Sequence, residues 1–547
     1  MPLPTGIFPT LDAAQMARIA RYGKCHTVPA GQTLYAQGAE ARSFFVVLSG
    51  SIEVVREDGA SEEVIAQHGV GQFSGDVHLL SGRRNIVRGR MRTAGEVIEL
   101  DRESLRTLVQ TDAELGEILM RAFILRRVEL VQHGQGDAVL LGSSHSPGTL
   151  RIKEFLTRNG HPYSYVDLER DSGTQALLDQ FHVAVDEVPV LICSGKNVLR
   201  NPSNAEVADC LGFNEAIDET QVRDVVVVGA GPSGLGAAVY AASEGLDVLV
   251  VETSAPGGQA GSSSKIENYL GFPMGISGQE LAARAYTQAQ KFGAEVLVAR
   301  AAARLTCNRQ PLVIEMEGGA RLPSRTVIVA TGAQYRRLTT VDASRFEGAG
   351  IYYGATAIEA QLCAQEEVIV VGGGNSAGQA AMFLAATAKH VHILVRSSRL
   401  ADTMSRYLIR RIEDSSVVTV RPHCEIVSLA GSDRLEEVTW RDNQTGALES
   451  RPIHHVFLMM GANPNTPWLS GCVALDSGGF IKTGPELTAD DLAHAKWPRA
   501  RPPYLLETSV PGVFAVGDVR AGNIKRVASA VGEGSMSVHF IHKVLAE

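Results

Sequence analysis

Three closely spaced glycines carry the clearest binding chemistry of this sequence. Gly229, Gly231 and Gly234 follow four valines at 225–228 and precede an apolar segment at 235–243. That order predicts a buried strand, a tight turn and a helix. Because glycines lack side chains, the backbone can approach a pyrophosphate, and the helix N-terminus supplies N–H donors and a positive dipole. A dinucleotide is therefore predicted to bind at this turn.

An acidic residue follows at the spacing that dinucleotide sites use. Glu252 ends the next apolar run, 248–251, roughly 20 residues beyond the turn. Its carboxylate can accept a hydrogen bond from an adenosine ribose hydroxyl. Because strand, turn, helix and terminal acid occur in register, a glycine turn without a ligand explains the pattern poorly.

A second glycine-rich unit occurs later in the chain, with basic residues where the first unit has its acid. Gly372 and Gly374 follow an apolar run at 368–371, and the strand after the next helix leads into Arg396 and Arg399. Arginine can pair with a ribose 2′-phosphate, whereas an acid would hold a free 2′-hydroxyl. NADPH is therefore favoured over NADH, which stays the alternative if both arginines are only solvated. The predicted ligands of this unit are Gly372, Gly374, Asn375, Ser376, Ala377, Arg396 and Arg399.

Length and composition indicate a soluble protein of several domains. The 547 residues exceed what one hydrophobic core accommodates, at roughly 150 residues per domain. The net charge of −9 leaves no basic field to attract a phosphate backbone, so nucleic acid is not an expected partner. The sequence has no apolar run of about 18 residues and no N-terminal signal pattern. We therefore expect a cytoplasmic protein without membrane contact.

Cysteine spacing excludes the common dithiol motif. The seven cysteines are scattered, and no two of them lie three residues apart. A CxxC redox pair and a paired-cysteine zinc site are therefore absent from the sequence, and no metal site is predicted. Scattered single cysteines in a cytosolic protein are most often small buried hydrophobes, and we expect that role here.

Hydrophobic patterning separates three blocks that would position these motifs. Residues 1–132 begin with short alternating strands and end in helical periodicity, which predicts a β-roll followed by helices. Residues 137–213 alternate strands and helices, including a helix predicted at 174–181, and indicate a small α/β domain. From residue 223 onward, the two glycine-rich units predict two doubly wound Rossmann-type domains. The fold class is therefore α/β.

Short motifs give the third block a specific resemblance. They are Gly-Gly-Gln at 257–259, Ile-Glu-Asn-Tyr-Leu-Gly-Phe-Pro at 266–273, Ala-Thr-Gly-Ala at 330–333, Pro-Asn-Thr at 464–466 and Gly-Val-Phe-Ala-Val-Gly-Asp-Val at 512–519. Their order and approximate spacing are those of the thioredoxin reductase family. Residues 223–547 thus resemble the low-molecular-weight thioredoxin reductases, and a homodimer is expected from that resemblance.

The resemblance implies that the first unit binds FAD and the second binds NADPH. In that family the nicotinamide domain interrupts the flavin domain, so 223–340 and 462–547 would bind FAD and 341–461 would bind NAD(P)H. Asn268 would lie near the isoalloxazine, and Asp518 would bind the ribityl chain. The implied FAD ligands are Gly229, Gly231, Ser233, Gly234, Glu252, Gly258, Gln259, Asn268, Thr331, Gly332, Gly517, Asp518, Lys525, Arg526 and Val527.

One departure from the family bears on catalysis. Where the family has Cys-Ala-Thr-Cys, this chain has Gly354 and Ala357 at the two cysteine positions. Hydride can still pass from NADPH to FAD, but a relay from flavin to an internal disulfide cannot operate. Cys363 lies nearby, and a single thiol without a resolving partner is better explained as a packing residue. The catalytic residues are therefore unknown.

The middle block resembles glutaredoxins and thioredoxin-like domains less specifically. Lys-Glu-Phe-Leu at 153–156 matches the helix after their active cysteines, and Glu-Val-Pro-Val at 187–190 matches their cis-proline loop. Their Cys-Pro-Tyr-Cys position is occupied here by Ser-Pro-Gly-Thr at 146–149. Because hydroxyls cannot exchange with disulfides, a structural or docking role is expected.

The first block resembles cyclic-nucleotide-binding domains. In their phosphate cassette a short helix follows Phe-Gly-Glu and an arginine closes it, whereas this chain has Phe-Ser-Gly-Asp at 73–76 and then Arg83 and Arg84. The Gly75 backbone and a guanidinium would hold the cyclic phosphate, and Asp76 would accept from the ribose 2′-hydroxyl. Because one residue is inserted and the arginine comes early, the pattern leaves open whether a cyclic nucleotide binds.

Together these observations predict an FAD-dependent pyridine-nucleotide oxidoreductase. It would pass electrons from NADPH to an unidentified acceptor, either a small molecule or a redox protein, with a cyclic nucleotide as a candidate regulator. One alternative is a thioredoxin-disulfide reductase whose thiols come from a partner. Another is a sensor that binds flavin and cyclic nucleotide without turnover.

Overall fold

The computed structural model describes residues 6–547 apart from 59–60, 77, 133–137, 144–145, 169–186, 194–196, 264, 337, 339–342, 356, 401–403 and 433. The helix predicted at 174–181 lies outside the described residues. The described α-helices are Ala13–Ile19, His78–Ser81, Arg102–Thr111, Ala113–Gln132, Pro147–Arg158, Asn204–Cys210, Pro232–Ser243, Gly258–Gly261, Gly278–Lys291, Ala357–Leu362, Asn375–Leu384, Arg406–Glu413, Ala489–His494 and Val527–Ala546.

The first block forms the β-roll expected from its alternating pattern. One sheet has the order Lys24–Val28, Gly95–Asp101 and Ser43–Val47, and the other has the order Thr33–Tyr35, Arg88–Thr93, Ser51–Asp58 and Ser61–His68. Phe44, Phe73 and Phe123 lie against one another in the core, and the edge-on contacts of Phe123 bring helix Ala113–Gln132 against the roll.

The middle block is a small α/β domain. Its sheet has the strand order Asn197–Arg200, Val190–Cys193, Ala138–Gly142 and Tyr163–Asp167, with only the last pair parallel. Helix Pro147–Arg158 begins with a proline, whose fixed φ suits the first helical turn. The helix buries Ile152, Phe155 and Leu156 against the sheet. The peptide bond before Pro189 is cis, as the resemblance implied.

The third block contains two sheets with helices, one mixed and one parallel. The first sheet has the order Glu295–Leu297, Val248–Val251, Arg223–Val228, Arg321–Val329, Leu312–Met316 and Ala302–Thr306, and Val513–Ala515 adds in parallel to Arg321–Val329. The second has the order Ile351–Tyr352, His455–Leu458, Glu367–Val371, His390–Leu394 and Val418–Arg421. A separate antiparallel sheet comprises Cys424–Ala430, Glu437–Asp442 and Leu448–Arg451.

The strand order explains how the glycine-rich turns are placed. Strands Arg223–Val228 and Glu367–Val371 are each central and end in four buried apolar residues, as is usual for parallel strands covered on both faces. Both turns therefore follow the carboxyl end of a central strand, where ligands bind in such sheets. The two domains are joined by Ala333–Tyr335 and Ala462–Pro464, which pair as a short antiparallel ladder.

The middle domain packs against the first Rossmann-type domain. The Asn214 side chain accepts from the Val298 backbone N–H at 2.8 Å and donates to the Val298 carbonyl at 2.9 Å. Val298 also belongs to the hydrophobic cluster of the middle domain, with Phe155 and Phe213. No helix in the described part of the chain is long and apolar enough to span a bilayer.

Candidate functional site

Both glycine-rich turns open onto one cavity of about 1520 Å³. Gly229 and Gly231 line one part of it, and Gly372 and Gly374 line another. The cavity is therefore continuous between the two Rossmann-type domains. Predicted residues that line it are Gly229, Gly231, Ser233, Glu252, Gly258, Gln259, Asn268, Thr331, Gly332, Gly372, Gly374, Asn375, Ser376, Arg396, Asp518, Lys525, Arg526 and Val527. Those that do not are Gly234, Ala377, Arg399 and Gly517.

The first turn has the backbone that its glycines predict. Gly229 has φ +106°, a left-handed conformation that favours glycine, and a side chain there would collide with the Ala330 carbonyl. Gly231 is the N-cap of helix Pro232–Ser243, whose first turn lines the cavity. Gly234 lies against the Gly229 carbonyl, so it serves helix packing rather than the cavity surface.

Hydrogen bonds within the protein hold the Glu252 side chain in place. Its carboxylate accepts from the Ala230 N–H at 2.8 Å and from the Ser254 N–H at 2.9 Å. The residue is only 8% exposed. Two backbone donors hold the carboxylate at the edge of the turn, where an adenosine ribose can reach it.

The crossover between the domains is fastened beside the cavity. Thr331 Oγ1 donates to the Asn465 carbonyl at 2.9 Å, and Asn465 Nδ2 donates to the Thr331 carbonyl at 2.8 Å. Both residues line the cavity. This reciprocal pair fixes the place where the two linking strands enter the site.

The segment that contains Asp518 is positioned from the C-terminal helix. Glu533 accepts from the Gly517 N–H at 2.7 Å and pairs with Arg520 at 2.7 Å. Gly517 therefore shapes the turn, whereas Asp518 lines the cavity. Burial raises the pKa of the Asp518 carboxyl, and the nearby Lys525 ammonium opposes that effect. Lys525 Nζ lies 4.8 Å from the centre of the Phe480 ring.

One lining residue has buried polar atoms without a hydrogen-bond partner among the described residues. Asn523 Nδ2 and Oδ1 are buried and form no hydrogen bond with the described residues. The residue lines the cavity between Asp518 and Lys525 in sequence. An unpaired buried amide fits a polar ligand at this point. The glycine cradle, the fixed Glu252 carboxylate and this amide are together compatible with a dinucleotide such as FAD.

The second turn is built similarly. Gly372 has φ +141°, and a side chain there would meet the Met459 carbonyl at 2.5 Å. Asn375 Oδ1 accepts from the Ser405 N–H at 2.6 Å, so this side chain stabilises the turn as well as lining the cavity. Arg396 is exposed and lines the cavity, whereas Arg399 is exposed but outside the lining.

The third block matches known proteins over most of its length. Residues 223–534 match the family profile described as pyridine nucleotide-disulphide oxidoreductase. The chain is 32% identical over 317 residues to thioredoxin reductase of Ureaplasma parvum, covering 57% of this chain and 94% of that protein. It is 29% identical over 360 residues to NADPH-dependent thioredoxin reductase 3 of Arabidopsis thaliana, covering 63% of this chain and 64% of that protein. The chain belongs to the pyridine nucleotide-disulphide oxidoreductase family.

A solved structure and a second profile agree with this assignment. Thioredoxin reductase of Lactococcus lactis in its FR conformation superposes with a TM-score of 0.53 at 26% identity, over 59% of this chain and 99% of that chain. Residues 25–112 match the profile of the cyclic nucleotide-binding domain. This member of the family is an FAD-dependent oxidoreductase of the thioredoxin reductase type, and its cofactors are FAD and NADPH.

The oxidoreductase has isolated thiols near the site instead of an adjacent pair. Gly354 faces Ser262, whose Cβ would lie 3.7 Å from a side chain at that glycine. Cys363 is fully buried in the core of the nicotinamide domain, and burial raises the pKa of its thiol to about 11. Cys424 is the one cysteine among the described lining residues, and burial raises its pKa too.

The expectation that all seven cysteines act as packing residues is wrong for five of them: four form disulfides, and Cys25 is exposed. Cys193 pairs with Cys210 across the middle domain, with Cα atoms 6.4 Å apart. Cys307 pairs with Cys472, with Cα atoms 6.1 Å apart. Sequence separations of 17 and 165 residues carry no disulfide signal, because only the fold brings these positions together. Packing in a core does describe Cys363 and Cys424.

The start of the candidate phosphate cassette meets two arginines from the last helix of the β-roll domain. The Gly75 carbonyl accepts from Arg126 Nη1 at 2.8 Å, and the Asp76 carboxylate lies 3.7 Å from Arg127 Nη1. Burial lowers the pKa of Arg126 to about 10. Its guanidinium also lies over the Phe73 ring, 4.7 Å from the centroid.

The two arginines predicted to close the cassette contact other domains. Arg83 is 4% exposed, donates to Tyr286 Oη at 3.0 Å and lies over the Phe213 ring at 4.5 Å. Arg84 Nη1 donates to the Cys210 carbonyl at 3.3 Å. The described structure therefore places Gly75 and Asp76 beside two arginines of the β-roll domain, whereas Arg83 and Arg84 contact residues of the other domains.

Proposed function

We propose that this oxidoreductase passes electrons from NADPH through FAD to an acceptor outside the chain, without an internal cysteine pair. One observation carries the proposal: a single cavity serves both glycine-rich turns, while glycine and alanine occupy positions 354 and 357. NADPH supplies a hydride and FAD accepts it, a step that needs no thiol.

The roles proposed for the chain's residues follow from their places in the cavity. The turn at Gly231 and the helix dipole behind it would hold the FAD pyrophosphate, with Glu252 on the ribose. Arg396 would pair with the 2′-phosphate of NADPH. Lys525 would favour negative charge on the flavin. The fastened crossover at Thr331 would keep the two nucleotide sites in register.

A redox protein is the acceptor class that the surface supports best. Leu270 is 93% exposed and Met274 is 82% exposed. Both lie in the loop that begins at Asn268, a residue of the cavity lining. Large apolar side chains at the edge of a site favour docking of another protein. Within this class, a partner that brings its own disulfide is favoured by relatives that bear the name thioredoxin reductase.

Anaerobic titration of the FAD-loaded protein with NADPH tests the thiol-free route. We expect about two electrons per FAD at the endpoint, with no long-wavelength absorbance from a thiolate next to flavin. An endpoint near four electrons would contradict the proposal, and Cys424→Ser and Cys363→Ser would then identify the thiol involved.

Steady-state assays separate the acceptor classes. NADPH oxidation should be measured with a quinone, oxygen, a small disulfide and a thioredoxin-type protein disulfide. Turnover that requires the protein disulfide, and that falls when Leu270 and Met274 are both changed to serine, is the expected result. Negligible turnover with every acceptor would favour the sensor alternative. Regulation by a cyclic nucleotide, a homodimer and a cytoplasmic location remain parts of this proposal.

A further inference from the structure

The middle domain places a cation in the wall of the cavity. Arg158 is the last residue of helix Pro147–Arg158 and lines the cavity. Its Nη2 donates to the Gly258 carbonyl at 2.9 Å and lies 3.5 Å from the Ala255 carbonyl. The family profile spans residues 223–534, so this arginine comes from outside the part of the chain that matches the family.

The guanidinium has donor capacity left over. Nη1 lies 3.3 Å from the Glu154 carboxylate, which is 45% exposed. Nε is buried and forms no hydrogen bond with the described residues. An arginine carries five N–H donors in a planar fork that suits phosphate oxygens. Arg158 lines the cavity with its side chain 17% exposed, so the donors left on its terminal nitrogens suit an anionic ligand there.

The contacts of Arg158 place it at the phosphate end of the FAD site. Ala255 and Gly258 belong to the segment that follows Glu252. A side chain at Gly258 would lie 3.0 Å from Gly231 Cα, so this segment approaches the glycine turn closely. The segment that Arg158 contacts thus runs from Glu252, proposed to bind the ribose, to the turn at Gly231, proposed to bind the pyrophosphate.

We propose that Arg158 binds a phosphate oxygen of FAD, so that the middle domain completes the flavin site. A domain without a CxxC then has a function in cofactor retention. The inference depends on FAD binding, which family membership establishes, and is independent of the electron acceptor. A docking role alone is the competing explanation, because the same arginine also joins two domains.

The affinity of the full-length protein for FAD separates these explanations. Arg158→Ala should weaken FAD binding about 10-fold to 100-fold, the size of a charge-assisted contact, as measured by recovery of flavin fluorescence on dilution. Arg158→Lys should weaken it less. Glu154→Gln should strengthen it, because the guanidinium loses its competing carboxylate.

Gln279→Ala is the matched control. Gln279 Nε2 donates to the Thr157 carbonyl at 3.0 Å, which joins the same two domains one residue away, and Gln279 does not line the cavity. We expect this variant to retain FAD like the unmodified protein. Equal weakening by Arg158→Ala and Gln279→Ala, with circular dichroism unchanged, would overturn the proposal, as would weaker FAD binding in Glu154→Gln.

Discussion

We predict that coenzyme preference depends on one of two neighbouring arginines. Arg396 lines the cavity and Arg399 does not. Arg396→Ser should therefore lower kcat/KM for NADPH about 10-fold to 100-fold, because a charge-assisted contact to the 2′-phosphate is lost. The value for NADH should change little.

Arg399→Ser is the control for that prediction, since it removes the same charge three residues away. Steady-state kinetics with both coenzymes for both variants would decide the matter. An equal fall for NADPH and NADH in Arg396→Ser would show that the arginine supports the fold of the site rather than the phosphate.

Thiol reactivity should follow burial. The pKa of Cys363 is raised to about 11 because the thiol is buried, whereas Cys25 is exposed. At pH 8, iodoacetamide should modify Cys25 and leave Cys363 unmodified in the native protein, because the thiolate is the reactive form. Peptide mass spectrometry would measure both, and rapid labelling of Cys363 would contradict its packing role.

The raised pKa also fixes a pH dependence of stability. A thiol with a pKa near 8.5 when unfolded and about 11 when folded stabilises the fold fully below about pH 8.5. That contribution is lost as the pH rises toward 11. The free energy of unfolding should fall less over this range in Cys363→Ala.

Residues with a local signature could be predicted from the sequence, and those defined by long-range contacts could not. Glu252 follows the turn at a fixed distance, so its place could be read from spacing, and it lines the cavity. Arg158 and Asn523 also line the cavity, but neither is part of a motif that the sequence analysis singled out. For Arg158, only the docking of the middle domain brings the side chain to the flavin site.

At the scale of elements, strands and turns were more predictable than the connections between them. The apolar runs at 225–228 and 368–371 lie in central parallel strands, as their composition indicates. The ladder between Ala333–Tyr335 and Ala462–Pro464 had no such signal. It joins segments that are far apart in the chain, and its pairing depends on how the two domains meet.

A disulfide fastens two loops of the first Rossmann-type domain. Cys307 directly follows strand Ala302–Thr306, and Cys472 lies close after the short helix Pro467–Leu469. The bond links positions 165 residues apart. Cross-linking so long a loop lowers the entropy of the unfolded chain, and disulfides typically stabilise by about 2–4 kcal/mol.

Cys472→Ser should therefore lower the free energy of unfolding by about 2–4 kcal/mol, with FAD content of the folded protein unchanged. Urea unfolding followed by flavin fluorescence would measure the loss. Cys25→Ser is the control, because Cys25 is exposed and has no disulfide partner. Dithiothreitol should destabilise the unmodified protein more than Cys472→Ser, which has already lost this disulfide. Equal destabilisation of both proteins would show that the disulfide of Cys307 does not contribute to stability.

At the scale of the whole molecule, a short series of contacts joins the N-terminal domain to the cavity. Arg83 donates to the Asn159 carbonyl at 3.4 Å, and Asn159 Nδ2 lies 3.5 Å from the Ser254 carbonyl. Ser254 lines the cavity and holds Glu252. The domain order could be predicted from the sequence, but this route could not, because it depends on how three domains pack together.

The same contacts imply a competition. If the cassette binds a cyclic nucleotide through Arg83 or Arg84, the phosphate must draw a guanidinium away from the domain interface. Tyr286→Phe removes the hydroxyl that accepts from Arg83 at 3.0 Å and keeps the ring. One hydrogen bond fewer in the interface should raise the affinity for cAMP or cGMP about twofold to tenfold, measured by calorimetry on the full chain.

Arg84→Ala is the opposing variant, because Arg84 holds the Cys210 carbonyl at 3.3 Å and is the other candidate ligand of the phosphate. If Arg84 is that ligand, the variant should abolish binding while leaving FAD content unchanged. Equal affinity in the unmodified protein and Tyr286→Phe would show that Arg83 takes no part in nucleotide binding. If calorimetry detected no binding of either nucleotide, even to Tyr286→Phe, weakening the domain interface would not have exposed a nucleotide site. Arg83 and Arg84 would then serve only to hold the domains together.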